Sequence, residues 1–92
     1  MADRNALVAE MLEDVAAILE VKGESSYRVL AYREAARQVR ALGSDIAEVH
    51  RQRKLEHIPG VGPSIGAKIA EFLSTGRSSY LEELRSSIPP GV

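Results

Sequence analysis

The segment that spans residues 57–66 limits the fold of this chain more than any other part of the sequence. It reads His-Ile-Pro-Gly-Val-Gly-Pro-Ser-Ile-Gly. Gly60 and Gly62 bracket one hydrophobic residue, so the backbone there can adopt positive φ angles and lie close against a ligand. Pro63 suits the first position of a helix, where a missing N–H needs no partner. The segment therefore predicts a tight turn that leads directly into a helix.

This turn also predicts a binding chemistry. A helix that starts directly after it presents free backbone amides and the positive end of its dipole at one point, which makes a phosphate site. Apolar residues at helical spacing predict the helix itself: Ile65, Ile69, Phe72 and Leu73. From the glycine spacing alone, a phosphate-binding turn and an ordinary Gly/Pro connection both stay open.

Length and composition exclude several classes of protein. A chain of 92 residues forms one small domain with little room for a deep active-site cavity. It has no cysteine for a disulfide or a thiolate metal site, and its two histidines, His50 and His57, are too few for a metal cluster. No apolar run is long enough to span a bilayer, and the acidic N-terminal region is unlike a signal peptide. We therefore expect an intracellular domain with no membrane partner.

The formal net charge of -1 conceals an uneven distribution. Residues 1–23 contain two basic and five acidic side chains, and residues 55–92 contain three basic and four acidic ones. Residues 24–54, in contrast, contain seven basic and four acidic side chains. This central block is the candidate surface for a polyanion, although a solvated helix face accounts for such a block in most proteins.

Hydrophobic periodicity predicts an all-α chain. A first apolar stripe ends at Gly23, and a second helix runs from about Tyr27 to Leu42, where Gly43 can close it. Ser44 is predicted to cap a short third helix. The second helix also carries a stripe of basic residues: Arg33, Arg37 and Arg40.

The last part of the chain also contains residues that are typical of helix ends and helix starts. The hairpin helix stops at Thr75-Gly76, and Ser79 with Glu82 forms the pattern of a capping box for a final helix. We therefore predict a compact domain of four to five helices over residues 1–88. Residues 89–92 are predicted to begin a linker, because their two prolines cannot continue a helix.

Several motifs follow one another in a specific order and spacing. They are Leu-Glu-Val-Lys-Gly-Glu at residues 19–24, Tyr-Arg-Val-Leu-Ala-Tyr-Arg-Glu-Ala-Ala at 27–36, Ile-Pro-Gly-Val-Gly at 58–62, Lys-Ile-Ala-Glu-Phe-Leu at 68–73 and Leu-Glu-Glu-Leu at 81–84. Together they resemble the amino-terminal domain of family X DNA polymerases, in its bacterial and archaeal form. The resemblance covers nearly the whole chain and implies a SAM-like helical fold with one helix-hairpin-helix.

The resemblance implies sequence-independent binding of gapped or single-stranded DNA and of its 5′-phosphate end, in base excision repair or gap filling. It implies a monomeric protein of the cytoplasm, associated with the nucleoid. It also implies a monovalent cation, Na+ or K+, on the backbone carbonyls of Glu56, Ile58 and Val61 when DNA is bound. With the basic stripe included, the candidate DNA-binding residues are Tyr27, Arg28, Arg33, Arg37, Gly60, Val61, Gly62 and Ser64.

In several family members this domain also removes a 5′-deoxyribose phosphate through a lysine Schiff base, a step that needs no cofactor. Lys68 matches that lysine, and Tyr32 matches a tyrosine that can position the sugar or a water. The strongly active members carry phosphate-binding lysines at the positions of Ser64 and Tyr80, whereas Arg28 keeps one cation of that pocket. Fewer cations weaken phosphate capture, so enzymatic activity stays an open question here.

Three alternatives belong beside this interpretation. Tyr27 matches a position that packs on a template base, and a core tyrosine at a helix start is the other interpretation of that residue. The whole chain can be a helix-hairpin-helix module without chemistry. It can also be a helical protein-interaction domain that uses its acidic first helix.

Overall fold

The computed structural model of this chain describes residues 3–88, which form five α-helices and one short 3-10 helix. The helices are α1 (Arg4–Val21), α2 (Ser26–Arg40), α3 (Ile46–Arg51), η1 (Leu55–His57), α4 (Pro63–Thr75) and α5 (Ser79–Ser86). The prediction of an all-α fold is confirmed, and there is no strand between residues 3 and 88. The predicted linker at residues 89–92 lies outside the described residues.

The core forms between α1 and α2 and extends into the hairpin. The apolar stripe of α1 is buried from Val8 to Leu19 except for the partly buried Ile18, and Leu12 and Leu19 are its largest fully buried side chains. The small residues Ala35 and Ala36 of α2 are also fully buried, as expected where two helices approach closely. Ile69 of α4 is fully buried in the same core. This packing fixes the helix that follows the hairpin turn against the rest of the domain.

The helices of the described region end largely where the glycines predict. Gly23 follows the last residues of α1 with a φ of 73°, and Gly76 closes α4 with a φ of 76°. In α2 the prediction of the helix end was wrong, because that helix stops at Arg40 with Ala41 as its C-cap. Gly43 therefore belongs to the connection between α2 and α3.

Four of the five α-helices begin at a capped residue. The side chains of Asp3, Ser25, Asp45 and Ser78 each accept a hydrogen bond from an amide of the following first turn. The prediction of Ser44 as the cap of α3 was therefore wrong by one residue. Its carbonyl instead accepts a hydrogen bond of 2.8 Å from Nδ2 of Asn5, whose Oδ1 accepts the amide of Ile46 at 2.8 Å. Asn5 thus joins the start of α1 to the start of α3.

The predicted capping box of the last helix was displaced in the same way. Ser78, a buried residue, is the cap of α5 and not Ser79. The hydroxyl of Ser79 donates to the Glu71 carboxylate instead, and Glu82 forms an ion pair of 2.7 Å with Arg77.

Within residues 3–88, no helix combines the length and the apolar character that crossing a membrane requires.

Candidate nucleic-acid interface

Apolar side chains anchor the hairpin turn between η1 and α4 in the core. Ile58 and Val61 are both buried in the core, so Val61 can reach a ligand only through its backbone. Gly60 has a φ of 83°, as predicted, and a Cβ built on it would lie 3.4 Å from Cγ of Glu34 and 3.7 Å from the amide nitrogen of Ala35. The conformation of Gly60 therefore favours glycine, whereas the contacts of an added Cβ with α2 would be at ordinary distances.

Gly62 departs from the prediction. Its φ of -95° and ψ of -170° describe an extended residue at the N-cap of α4, a conformation that any residue adopts. A Cβ built on Gly62 would meet no atom within 4 Å. The prediction that both glycines need unusual backbone angles was therefore wrong for Gly62, because the chain leaves the turn as a standard helix start. The space beside Gly62 is open to solvent and to a ligand.

The first turn of α4 lacks the side-chain cap that the other four α-helices have. Gly66 donates its amide to the carbonyl of Gly62 at 2.8 Å, and Val61 donates to that of Ile58 at 3.0 Å. Among residues 3–88, the amides of Gly60, Gly62 and Ser64 find no acceptor. Unsatisfied amides at a helix start, together with the helix dipole, attract an anion.

A shallow pocket of about 230 Å³ lies on the same helix, beside the hairpin. We call it the lysine pocket. It is lined by Tyr27, Arg28, Ala31, Tyr32, Ser64, Ile65, Lys68 and Tyr80. Arg28 and Tyr32 of α2 are four residues apart, as are Ser64 and Lys68 of α4, so the members of each pair share a helix face that lines the pocket. The candidate residues that the sequence distributes over two helices thus meet at one site.

Within the lysine pocket the polar side chains contact one another. Nζ of Lys68 donates to Oγ of Ser64 at 3.0 Å and lies 4.7 Å from the centroid of the Tyr80 ring, a cation–π geometry. Arg28 donates a hydrogen bond to the Tyr80 hydroxyl. The rings of Tyr32 and Tyr80 stack with centroids 6.3 Å apart. Tyr80 therefore contacts both cations of the pocket.

Burial and charge shift the pKa values of two groups in the pocket. Partial burial lowers the pKa of Lys68 below its usual value of 10.5, and the nearby positive charge of Arg28 lowers it further. Burial raises the pKa of Tyr32 to about 12, with a further contribution from Tyr80, while Arg28 and Ser64 oppose the increase. Tyr32 is therefore a protonated hydrogen-bond donor at neutral pH, and the Lys68 amine is easier to deprotonate than a solvated one.

The basic stripe of α2 is largely neutralised within the domain. Arg33 pairs with Glu20 of α1 at 2.9 Å, and Arg37 pairs with Glu34 at 2.6 Å. Arg40 pairs in turn with Glu13 at 2.8 Å. The predicted DNA-binding residues Arg33 and Arg37 have no described contact with the hairpin or the lysine pocket. A phosphate would have to displace a carboxylate to reach either of them.

The structure places both Tyr27 and Tyr80 at the lysine pocket. Tyr27 is 82% exposed at the edge of the lysine pocket, so its interpretation as a core residue was wrong. Tyr80 was noticed only as the position of a missing lysine, and its central place in the pocket was not predicted. The sequence indicates this place only through the next residue, Leu81. Leu81 is buried, so this part of α5 faces the domain.

The proposed cation site of the hairpin consists of backbone carbonyls. The Ile58 carbonyl accepts the amide of Val61 at 3.0 Å. In the described part of the chain, the carbonyls of Glu56 and Val61 accept no hydrogen bond from a backbone amide or a side chain. Carbonyl oxygens without a hydrogen bond fit the hard-ligand preference of a monovalent cation. Within residues 3–88, no cluster of His, Cys, Asp and Glu side chains could hold a metal ion.

Comparisons with known proteins agree with this architecture. The sequence matches the helix-hairpin-helix domain family over residues 3–78. It is also 31% identical over 85 residues to DNA polymerase/3'-5' exonuclease PolX of Bacillus subtilis (strain 168). That match covers 92% of this chain but only 14% of the relative.

Proposed function

The chain belongs to the helix-hairpin-helix domain family and is similar to a family X DNA polymerase, and from this premise we propose that it binds the backbone of gapped or single-stranded DNA without reading its sequence. The observation that carries this proposal is the uncapped start of α4, where the amides of Gly60, Gly62 and Ser64 have no acceptor among residues 3–88. Phosphate oxygens satisfy such amides whatever the neighbouring bases are.

The N-cap residue Gly62 offers a direct test by substitution. In Gly62→Asp, the carboxylate would accept the amides of the first turn, as Asp3 and Asp45 do in their helices. We expect the free energy of unfolding to rise by about 0.5–1 kcal/mol, because a cap and a favourable charge are added at a helix start. Affinity for gapped DNA should fall roughly tenfold, because one phosphate contact is lost and a negative charge is added.

The matched control is Gly43→Asp, which adds the same charge at a site where a Cβ also meets no atom within 4 Å. Binding is measured by gel shift with gapped DNA, with and without a 5′-phosphate. A Gly62→Asp protein that folds and binds like Gly43→Asp would show that the hairpin is only a connector. A wild-type protein that binds no DNA at low salt would instead favour a protein-interaction domain.

The lysine pocket favours a second function, the removal of a 5′-deoxyribose phosphate. Neutral Nζ of Lys68 would add to the C1′ aldehyde of the abasic sugar, and the adduct, after taking a proton from solvent, would lose water to leave an iminium ion. The iminium makes a C2′ proton acidic. Transfer of that proton to a solvent water would break the C3′–O bond and release the 5′-phosphate end of the DNA, after which water would hydrolyse the unsaturated sugar from the lysine.

The contacts of the pocket support distinct roles for its residues. The lowered pKa of Lys68 favours the neutral amine that the addition requires. The protonated Tyr32 can donate a hydrogen bond to the sugar or to a water but cannot serve as a base near neutral pH. Arg28 can hold the 5′-phosphate once it exchanges its bond to the Tyr80 hydroxyl and its ion pair of 3.8 Å with Glu24 for the phosphate oxygens. This exchange, with Ser64 in place of a cation, predicts slow catalysis.

Reductive trapping tests this activity. With borohydride and a 5′-deoxyribose phosphate end, the wild-type protein should form a weak covalent adduct that Lys68→Ala abolishes, with DNA binding nearly intact. Lys22→Ala is the matched control, because Nζ of Lys22 instead donates to Ser87 at 2.8 Å, on another part of the surface. Adduct that persists in Lys68→Ala would assign the chemistry to another amine. No adduct from wild-type protein bound to DNA would leave a binding module without chemistry.

We further propose that the carbonyls of Glu56, Ile58 and Val61 hold a Na+ or K+ ion when DNA is bound. The cation would supply positive charge between the turn and a phosphate. Replacing K+ with a bulky organic cation at equal ionic strength should then weaken DNA binding.

The similarity to a polymerase, of which this chain spans 14% of the length, supports a proposal about the cellular role. We propose that the domain acts as a monomer inside the cell, at the nucleoid, and positions gapped DNA for gap filling or base excision repair. Sedimentation of the domain with and without gapped DNA tests the monomer. Genetic loss that leaves sensitivity to base damage unchanged would contradict the repair role.

A further inference from the structure

Arg53, in the connection between α3 and η1, differs from the other arginines in its charge environment. All nine arginines of the chain lie within residues 3–88. Eight of them lie within 4.0 Å of a carboxylate oxygen, among them the neighbouring Arg51, which pairs with Glu48. Arg53 makes no such pair within this part of the chain. Its charge is therefore available to an external anion without the loss of an internal ion pair.

The backbone of Arg53 is unusual as well. It has a φ of 58° and is the non-glycine residue with a positive φ in the described region. It follows the C-cap of α3, and the amide of Lys54 donates back to the Val49 carbonyl at 3.0 Å, so the chain closes the helix through a left-handed residue. Glycine or asparagine fits that position without steric cost. An arginine there is not explained by the needs of the backbone.

Arg53 also lies next to the hairpin. It lines a groove of about 300 Å³, together with Pro63 at the first position of α4 and Gly66 and Ala67 in the next turn. These residues lie on a different face of α4 from Ser64 and Lys68, which line the lysine pocket. The uncapped start of α4 therefore has the lysine pocket on one side and Arg53 on the other.

From these three observations we propose that Arg53 binds a DNA phosphate adjacent to the one held by the hairpin amides, on the groove side of α4. The proposal rests on the DNA binding proposed above and assigns a second contact to it. His50 and Glu56 also line this groove. Glu56 forms no ion pair with Arg53, and its negative charge opposes the phosphate, so the Arg53 charge is needed to make this side attractive.

The test compares Arg53→Asn with Arg51→Asn in the intact chain. Both variants remove one positive charge, and asparagine tolerates a positive φ, so we expect Arg53→Asn to keep or raise the melting temperature. Its affinity for gapped DNA should fall roughly eightfold at about 0.1 M salt, and the dependence of log affinity on log salt should become shallower by about one unit. Arg51→Asn should lose about twofold or less, because Glu48 already balances the Arg51 charge.

Three outcomes separate the claims. Reduced affinity and a shallower salt dependence in Arg53→Asn but not in Arg51→Asn support the contact. Equal losses in the two variants, or an unchanged salt dependence in Arg53→Asn, overturn it. A wild-type protein that does not bind gapped DNA at low salt refutes the proposed function itself, before any variant is compared.

Discussion

The contrast between the two glycines of the hairpin gives a quantitative prediction for Gly60→Ala. An alanine at the φ of 83° observed for Gly60 costs about 1–2 kcal/mol, because its Cβ crowds the following carbonyl. The substitution also restricts the unfolded chain, which returns about 0.4–1 kcal/mol. The new Cβ would lie 3.4 Å from Cγ of Glu34, a flexible side chain that can shift. The free energy of unfolding should therefore fall by about 1 kcal/mol in total.

For a domain of this size such a loss lowers the melting temperature by about 4–8 °C. Gly62→Ala is the matched control. Its extended backbone accepts alanine, and the restricted unfolded chain offsets the poorer N-cap, so stability should stay within about 0.5 kcal/mol of wild type. Urea denaturation of both variants, followed by circular dichroism, measures the difference. Equal destabilisation by the two alanines would refute the assignment of positive φ to Gly60 alone.

Three further predictions concern helix α4, the lysine pocket and the whole surface. Gly66→Ala should raise the free energy of unfolding by up to about 1 kcal/mol, because its Cβ would meet Glu56 and Val61 only at ordinary contact distances; a lower melting temperature would contradict this packing. Removing a positive charge in Arg28→Gln should raise the pKa of Lys68 and slow borohydride trapping at mildly alkaline pH. An NMR titration of Lys68 in the DNA-free protein checks this. An unchanged or lowered pKa of Lys68 in Arg28→Gln would show that the Arg28 charge does not lower it. Eight arginines already form ion pairs, so we expect bound DNA to have only two to four of its phosphates neutralised by the protein. The slope of log affinity against log salt should then be about -2 to -4. A slope near -10 would show a larger basic surface.

The candidate residues of the lysine pocket were predicted from the resemblance to family X polymerases, and local geometry explains part of their arrangement. The pairs Arg28 with Tyr32 and Ser64 with Lys68 are four residues apart, so each pair shares a helix face whatever the tertiary structure. The positive φ of Gly60 follows from its place in a tight turn. Such features are determined by a few neighbouring residues, and the sequence contains all of them.

Other features depend on contacts between distant segments. The pairing of Arg33 with Glu20 requires that α1 and α2 align in one particular register, which helical periodicity does not specify. Tyr80 enters the lysine pocket only because α5 packs against α1 and thereby brings its first turn close to Lys68 of α4. The cap of α3 moved by one residue because Asn5, from the far end of the chain, engages the Ser44 carbonyl. Helix boundaries and ion pairs are therefore the parts that sequence reasoning predicted least well.

The lysine pocket also has an optical consequence. The chain contains three tyrosines and no tryptophan, and Tyr27, Tyr32 and Tyr80 all line this one pocket. Near-ultraviolet absorption and fluorescence of the unlabelled protein therefore arise almost entirely from a single place on its surface. The stacked Tyr32 and Tyr80 rings and the exposed Tyr27 differ in environment, so their signals should respond separately to an occupant of the pocket. Titration with an abasic sugar phosphate, which does not absorb in the tyrosine band, can thus be followed without any engineered probe.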